Sequence, residues 1–243
     1  MSNVTVVSLG GSIVVPDEVD TAFTAQFVAA IRSRLAQEPQ RRFALIVGGG
    51  ATARRYQEAA RSLLPDVDAY TLDEIGIAAT RVNAHVIRAA FGDLCRDPLV
   101  TDPTRVASFT GRILVGGGWK PGFSTDNVAV RLAETLGART VINLSNIRQI
   151  YTADPKTDPD ATPLSSVTWD ELREIVGDEW VPGKNTPFDP VATKRAAELA
   201  MTVIAADGRD LFNLAALLDG SSFVGTTISG TRAPKPDRHG RSG

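Results

Sequence analysis

"GRILVGGGWKPGFSTDNVAVRLAETLGA", residues 111–138, passes from a short apolar run into three glycines, a Pro/Gly loop and a helical pattern. The run at 113–115 predicts a buried parallel strand. The helical pattern begins at Ser124-Thr125-Asp126, and its apolar residues Leu132, Ala133 and Leu136 lie on one face. Gly137 is well placed to end this helix. The glycines between strand and helix form either a cradle for an anion or only a tight turn.

The same strand-to-glycine pattern occurs three times, as "VVSLGGS" at 6–12, "LIVGGGA" at 45–51 and "ILVGGGW" at 113–119. In an open parallel sheet, ligands bind beyond the carboxyl ends of the strands. Glycine there lets backbone N–H groups approach an anion, and a following helix N-terminus adds positive potential. A tight turn alone explains one such segment, but three at one sheet edge predict a phosphate-rich ligand.

Strand and helix patterns alternate along the chain. Apolar, β-branched runs predict five strands, at 4–9, 43–47, 113–115, 141–144 and 202–205. Helical spacing of apolar residues follows the first strand, and strong helix formers predict a long helix at 74–91. These elements predict an α/β fold with helices on both faces of a mainly parallel sheet. Residues 151–188, rich in Pro, Asp, Thr and Gly, predict loops with a short helix at Trp169–Val176.

Composition bounds the class of protein. The 243 residues, 43% hydrophobic, suffice for one substantial core, which we expect at 1–230, whereas the polar tail at 231–243 predicts disorder. A net charge of −2 gives no footprint for nucleic acid or an anionic membrane. No apolar stretch reaches the roughly 18 residues of a membrane span, and "MSNVTVVSLGG" lacks the features of a signal peptide. With a single cysteine, Cys95, we expect a soluble protein of the reducing cytoplasm.

Several familiar catalytic motifs are absent from the sequence. It has no G-x-x-x-x-G-K-[ST] loop, no G-x-G-x-x-G after a strand and no G-x-S-x-G elbow. His85 lies in a predicted helix and His239 in the tail, so neither has partners for a metal site or a triad. No protein metal site is therefore predicted.

Charged residues near the glycine turns are the remaining candidates. Arg54 directly follows "GGGATA", four positions after Gly50, where its guanidinium either binds a phosphate or is solvated. For Arg55 a surface position is favoured. Asp73 is either the N-cap of a helix starting at Glu74 or an acceptor for a sugar hydroxyl. The segment "NIRQIYTADPKTDPDA", residues 146–161, has two interpretations. In one, Tyr151 stacks on a base and Asp154 accepts hydrogen bonds from a ribose or a base edge; in the other, the segment is an ordinary Asp-Pro turn.

Taken together, these motifs resemble the amino acid kinase superfamily, and most closely its archaeal type of uridylate (UMP) kinase. The resemblance covers roughly residues 4 to 228. It rests on seven blocks in the order and spacing of the family: "VVSLGGSIVVPDEVD", "LIVGGGATARRY", "DEIGIAATRVNA", "GGGWKPGFSTDNVAVRLAE", "SNIRQIYTADPKTDPDA", "DPVATKRAAELAMTVIAADGRD" and "LLDGSSFVGTTI".

The resemblance implies phosphoryl transfer from ATP to UMP, giving UDP and ADP, with Mg²⁺. It implies a three-layer α/β/α sandwich and a homohexamer, with acceptor binding by about residues 1–137 and ATP binding by about 138–230. Such transfer requires little covalent chemistry from the protein, because backbone amides, Arg and Mg²⁺ can align and neutralise the phosphates. The absence of an obvious catalytic dyad agrees with this reaction.

The resemblance also implies roles for individual residues. Gly11 and Ser12 would lie along the ATP phosphates, and Gly50 and Arg54 would hold phosphates between donor and acceptor. Gly49 and Asp73 would contact UMP, Asp73 at the ribose. The loop that would wrap UMP consists of Trp119, Lys120, Pro121, Gly122, Phe123, Ser124 and Thr125. The ATP site would further include Ser145, Asn146, Tyr151 and Asp154.

The sequence departs from the family pattern in a few places. Ser8 stands where many superfamily members carry a phosphate-facing Lys, which the archaeal UMP kinases generally lack too. Arg148 and Gln149 replace the usual Asp-Gly beside the ATP loop. Trp119 replaces a small hydroxyl residue at the start of the UMP loop. Lys120 after it is either a positive charge near phosphate or a solvated side chain.

Two other functions stay open at this point. Molybdenum storage proteins share the fold and several motifs, yet bind ATP while accumulating oxoanion clusters. A kinase of the superfamily with another acceptor is the second alternative. Isopentenyl phosphate kinases carry a His after the second glycine turn, which "GGGATARRY" lacks, and aspartokinases need an additional regulatory domain.

Overall fold

The computed structural model describes residues 3–155, 157–177 and 186–230; the tail predicted to be disordered lies outside these ranges. The strands described are β1 Val4–Leu9, β2 Arg42–Val47, β3 Ile113–Gly116, β4 Thr140–Ser145, β5 Ile150–Tyr151, β6 Pro163–Leu164, β7 Ser166–Val167, β8 Thr202–Asp207 and β9 Thr226–Ile228. The α-helices described are α1 Gly11–Val14, α2 Thr21–Gln37, α3 Gly50–Leu63, α4 Ala69–Phe91, α5 Thr125–Thr135, α6 Trp169–Val176, α7 Pro190–Glu198 and α8 Leu211–Leu218.

One seven-stranded sheet has the order β3-β2-β1-β4-β8-β9-β7, and β5 and β6 form a separate antiparallel pair. The five predicted strands are the first five of this order and are parallel throughout. β9 runs antiparallel to β8, while β7 is parallel to β9. These two strands were not predicted, because three and two residues are too few to show a period of two.

Helices cover both faces of the sheet, which confirms the α/β/α sandwich. Side chains along a strand alternate between faces, so Val7 and Leu9 belong to one core and Val6 to the other. The first core packs the sheet against α2, α4 and α8, and the second packs it against α5, α6 and α7. Within the described ranges no helix has the length and apolarity needed to cross a bilayer.

The helix after the third glycine turn has the predicted ends. Ser124 is the N-cap of α5, and its Oγ accepts a hydrogen bond from the Asn127 N–H at 3.2 Å. Gly137 follows the last turn with φ of 66°, a conformation that glycine adopts without strain. Its N–H bonds the Glu134 carbonyl at 3.1 Å, and the next N–H, of Ala138, reaches back to Ala133 at 2.8 Å. This pair of bonds is a Schellman ending, as the glycine predicted.

The long helix α4 begins earlier than predicted. It starts at Ala69, because Asp68 is the N-cap and accepts a hydrogen bond from the Thr71 N–H at 2.7 Å. The prediction of a start at Glu74 was wrong, and so was the N-cap alternative for Asp73, which lies inside the helix. Tyr70 and Thr71 have moderate helix propensity, which hid the first turn in the sequence.

The segment at 151–188 contributes to the main core, as far as it is described. Helix α6 has the predicted bounds and a capping box between Thr168 and Glu171. Its Trp169 and Leu172 are buried in the second core. The segment is therefore an excursion without a core of its own, but β7 within it also joins the sheet edge.

Candidate functional site

The three glycine turns lie along one edge of the sheet. β1, β2 and β3 are parallel neighbours, so their carboxyl ends meet at the same edge. The end of β4 joins them, because the Gly10 N–H donates to the Leu144 carbonyl at 2.8 Å. The predicted placement of the turns is thus observed, and Ser145 follows directly at that edge.

The first two turns pack backbone against backbone. A Cβ on Gly11 would overlap the backbone nitrogen of Gly50 and lie 2.6 Å from that of Gly49. Gly50 itself has φ of 56°, and a Cβ on it would overlap the Gly11 carbonyl. The Gly48 N–H bonds the Leu9 carbonyl at 2.9 Å, which links the second turn to the end of β1. Backbone packing alone therefore requires glycine at these positions, independently of any role in ligand binding.

Both turns also leave backbone donors available. Within the described ranges, the N–H groups of Gly11, Ser12, Gly49 and Gly50 donate no hydrogen bond. They lie at the N-terminal ends of α1 and α3. Unpaired N–H groups at the start of a helix such as the 14-residue α3 suit an anion, because they point outward and add to the helix dipole.

Arg54 and Arg55 are both exposed but have different partners. Arg54 donates from Nη1 to the Ser12 hydroxyl at 3.2 Å and from Nη2 to the Pro16 carbonyl at 3.1 Å. It pairs with no carboxylate of the described residues, so its charge at the junction of the two turns is uncompensated. Arg55 instead forms an exposed ion pair with Asp17 at 3.0 Å, in agreement with its surface interpretation.

The third turn is held by side chains of α4. The Thr80 hydroxyl accepts a hydrogen bond from the Gly118 N–H at 2.6 Å. Arg81 donates from Nε to the Gly118 carbonyl at 3.1 Å and from Nη2 to the Trp119 carbonyl at 2.9 Å. A Cβ on Gly117 would lie 3.0 Å from the Thr80 hydroxyl, so the turn lies directly on the helix. Neither α4 residue was identified from the sequence.

Two further α4 side chains contact the turns and the loop. Asp73 accepts at Oδ2 a hydrogen bond from the Gly122 N–H at 2.8 Å, which places it against the predicted UMP loop. The buried Asn83 amide donates to the carbonyls of Gly48 and Gly49, both at 2.9 Å. Asp73, Thr80, Arg81 and Asn83 span about three turns of one helix, a spacing that was visible in the sequence although their targets were not.

The predicted UMP loop carries an aromatic pair. The rings of Trp119 and Phe123 have centroids 4.8 Å apart. The Lys120 ammonium lies 4.1 Å from the Trp119 centroid, and the Arg131 guanidinium lies 5.2 Å from that of Phe123. Lys120 therefore rests on the rings, which neither sequence interpretation foresaw.

The Trp119 indole also contacts the segment before β3. Hydrogen bonds from the Thr104 hydroxyl and, to a smaller degree, from the Trp119 indole lower the pKa of Asp102.

The remaining residues of the loop shape its turn and its end. Pro121 and Gly122 lie at the turn, where Gly122 has φ of 82°. Ser124 and Thr125 begin α5 as its N-cap and first residue.

Two aspartates adjoin this edge that sequence reasoning did not select. Ser8, buried in β1, donates from its hydroxyl to Asp126 at 2.9 Å. The Asp126 side chain is partly exposed, but desolvation by the protein packed around its carboxylate raises its pKa to about 6. The hydrogen bond from Ser8 lowers this pKa, and the negative charge of Asp189 raises it. Asp189 is the buried N-cap of α7, and desolvation raises its pKa as well. Asp126 was visible in "STD", but its neighbour 63 positions later was not.

The predicted ATP residues follow β4. Ser145 ends this strand, and its hydroxyl accepts a hydrogen bond from the Ile147 N–H at 3.2 Å. Asn146 is exposed, and Tyr151 is half-buried in β5. The Asp154 carbonyl accepts hydrogen bonds from the N–H groups of two consecutive residues, Thr157 at 3.0 Å and Asp158 at 2.9 Å, as in an Asp-Pro turn. A cavity of about 630 Å³ beside it is lined by Thr152, Ala153, Asp154, Leu164, Ser166, Val167, Glu171, Glu174 and Ile175.

The unusual pair after β4 has separate surroundings. Arg148 is exposed. Gln149 is half-buried and donates from Nε2 to the Gly225 carbonyl at 3.2 Å, so it ties the segment to the residues before β9. The side chain that replaces the usual glycine therefore has a structural contact.

The family model described as "Amino acid kinase family" matches residues 3–206. The chain belongs to the amino acid kinase family. A uridylate kinase of Methanospirillum hungatei is 39% identical over 227 residues, which are 92% of this chain and 94% of the relative. A uridylate kinase of Methanoculleus marisnigri is 35% identical over 226 residues, again 92% of this chain and 94% of the relative.

A solved structure agrees with these relatives. The crystal structure of uridylate kinase from Archaeoglobus fulgidus superposes with a TM-score of 0.78 at 32% identity. The match covers 94% of this chain and all of that one. The resemblance drawn from the seven motifs is thus confirmed, and so is the fold it implied.

Proposed function

We propose that this chain is an ATP-dependent kinase that transfers a phosphoryl group to UMP, giving UDP and ADP. The observation that carries the proposal is the uncompensated Arg54 guanidinium, located where two turns with unpaired N–H groups meet. The family relatives and the solved structure, all bearing the name uridylate kinase, support UMP as the acceptor.

The chain's contribution to this transfer is positioning and neutralisation of charge. Phosphoryl transfer spreads negative charge over the oxygens of the transferred group, and prearranged donors stabilise that charge. We assign this role to the N–H groups of Gly11, Ser12 and Gly50 and to Arg54. Because the turns are fixed by mutual contact, these donors need not reorganise when substrate binds.

The acceptor would bind between the second turn, Asp73 and the loop that includes residues 119–125. Gly49 would lie near UMP, and Asp73 would accept a hydrogen bond from its ribose. Asp73 Oδ2 already accepts the Gly122 N–H, so a ribose hydroxyl would share this carboxylate with the loop. Substrate and loop would then be ordered together.

The donor would bind beyond β4, where we assign Ser145, Asn146, Tyr151 and Asp154 to ATP. Mg²⁺ bound together with ATP would supply neutralisation of the phosphate charge. Among the described residues no group of three His, Cys, Asp or Glu could hold a metal ion alone. That arrangement fits Mg²⁺, because this ion is commonly held by phosphates and waters with few protein ligands.

We further propose that residues 1–230 act as one domain, with the acceptor handled by about 1–137 and ATP by about 138–230, in the cytoplasm. We also propose a homo-oligomer, a hexamer by the family resemblance. Exposed apolar side chains on and between α3 and α4 support association: Tyr56, Leu63, Leu64, Tyr70 and Val82. Light scattering giving the mass of a single chain, 25.8 kDa, would refute the oligomer.

An assay of ADP release tests the function. The purified chain is supplied with ATP and Mg²⁺ and, in turn, with UMP, CMP, dUMP, isopentenyl phosphate and acetylglutamate. We expect turnover with UMP at the highest kcat/KM. No turnover with UMP, alongside turnover with another compound, would overturn the proposal. Molybdate or tungstate retained through purification would instead support the storage alternative, which the names of the relatives do not favour.

A further inference from the structure

Helix α4 presents a row of side chains to the glycine turn and loop that would bind the acceptor. Thr80 and Arg81 together make three hydrogen bonds to residues 118 and 119, at 2.6, 3.1 and 2.9 Å. The Thr80 hydroxyl also donates to the Ile77 carbonyl at 2.6 Å, which fixes its orientation. Both the N–H and the carbonyl of Gly118 are therefore held by side chains of one helix.

The Arg81 guanidinium is committed to the loop backbone. Its two hydrogen bonds go to neutral carbonyls from two different nitrogens, a geometry that suits the planar fork of arginine. It forms no ion pair within the described part of the chain, although it is only half-buried. An arginine whose purpose was a surface ion pair would not be placed in this way.

We propose that Arg81, with Thr80, is a positioning residue that sets the conformation of residues 118–122 and thereby the affinity for UMP. It acts through the loop backbone and does not touch the transferred phosphoryl group. The inference deepens the proposed function and rests on it for the identity of the acceptor. The effect of Arg81 on the loop itself is independent of which acceptor binds.

The first measurement is hydrogen exchange of the full-length chain without substrates, read by mass spectrometry. We expect Arg81→Met to speed exchange of a peptide spanning 117–123 at least tenfold. Without the bonds of Arg81 to the carbonyls of residues 118 and 119, the loop opens more often and exposes the hydrogen-bonded N–H groups of Gly117, Gly118 and Gly122. Arg88→Met is the matched control. Arg88 is on the same helix, is equally half-buried and donates to a backbone carbonyl, that of Asp97 at 3.2 Å, away from the loop.

The second measurement is steady-state kinetics. Arg81→Met should raise KM for UMP at least tenfold and leave KM for ATP within twofold, whereas Arg88→Met should change neither. Arg81→Lys should stay within threefold of Arg81→Met, because lysine lacks the fork. Thr80→Ser should restore most of what Thr80→Val loses, because serine keeps the hydroxyl.

The outcomes separate the inference from the proposed function. Unchanged exchange of 117–123 in Arg81→Met would overturn the inference, as would recovery of wild-type KM by Arg81→Lys, which would show that charge alone matters. Equal increases in KM for both substrates would also overturn it. If the wild type fails to phosphorylate UMP but Arg81→Met still speeds hydrogen exchange of residues 117–123, the proposed function fails and the positioning role stands.

Discussion

The first two glycine turns and the third share one sheet edge, yet they are fixed in different ways. Gly11 and Gly50 are held by direct contact of main chain with main chain. The third turn makes one backbone hydrogen bond, from the Gly117 N–H to the Val100 carbonyl at 3.2 Å, and is otherwise held by the side chains of Thr80 and Arg81. A contact between two backbones admits no variation, whereas one made by side chains can be altered by substitution. We therefore expect the first pair to set the fold and the phosphate site, and the third to set acceptor handling.

Gly11→Ala should break the first arrangement. A methyl group there meets backbone nitrogens that no rotamer change can move. Overpacking of a core typically costs 1–3 kcal/mol, and we expect about 3 kcal/mol off the free energy of unfolding. Denaturant unfolding followed by circular dichroism at fixed protein concentration measures this change.

Gly76→Ala is the control for this prediction. A Cβ at Gly76 would lie 2.9 Å from Nε2 of Gln57, the end of a side chain that can shift at the cost of its hydrogen bond to the Leu72 carbonyl. Since alanine also favours the helix, we expect a change of within about 1 kcal/mol. Wild-type stability of Gly11→Ala would show that the two turns are farther apart in solution.

Arg54→Ala should remove charge from the same junction while leaving the fold intact. A hydrogen bond to a charged group contributes about 1.5–3 kcal/mol, so kcat/KM for UMP should fall more than tenfold. Arg55→Ala provides the comparison, because its exposed pair with Asp17 should matter little and activity should stay within about twofold. Equal kinetics for the two variants would mean that Arg54 is a surface residue.

Asp126→Asn should sharpen the comparison through pH, since Asp126 connects β1 to the helix that follows the third turn. The folded protein holds this proton up to about pH 6, above the ordinary 3.8, so wild-type stability falls as pH rises between these values and stays low above them. Asparagine removes the cost of ionisation. We expect the stability difference, variant minus wild type, to be about 2 kcal/mol larger at pH 8 than at pH 4.5.

Asp97→Asn should behave with the opposite sign in the same unfolding experiment. Burial raises the Asp97 pKa, but N–H donors from Gly111 and Thr110 outweigh burial and leave the pKa lowered. Its stabilisation is present at neutral pH and lost in acid, so the variant should be less stable than wild type at pH 7 and approach wild-type stability at low pH.

For Asp126→Asn, a stability difference that does not change with pH would refute the enclosure of the Asp126 carboxylate.

Lys120→Met should have the smallest effect. Its ammonium rests on the rings of Trp119 and Phe123, and such exposed cation–π contacts contribute about 0.5–1 kcal/mol. We expect KM for UMP to change by less than about threefold, within that energy. A larger rise in KM would place Lys120 on the acceptor phosphate instead of on the rings.

The sequence predicted what is periodic or local. The five parallel strands, the glycine turns at one edge and the Gly137 helix ending all follow from patterns within a few residues. The start of α4 was missed because the Asp68 cap precedes residues of middling helix propensity. The contacts of Arg81 with residue 118 and of Ser8 with Asp126 join distant segments, and only the packed fold brings them together.

Helix α4 contacts the second turn through Asn83 and the middle of the loop through Asp73. Ten residues separate these positions, about 15 Å along the axis at the usual helical rise. The phosphate and the sugar of a bound acceptor would thus both be positioned by residues at a fixed spacing on one helix. The spacing of residues along a helix cannot be changed by fractions of a residue. An acceptor of different length would therefore require a different loop, while α4 and the first two turns could stay unchanged.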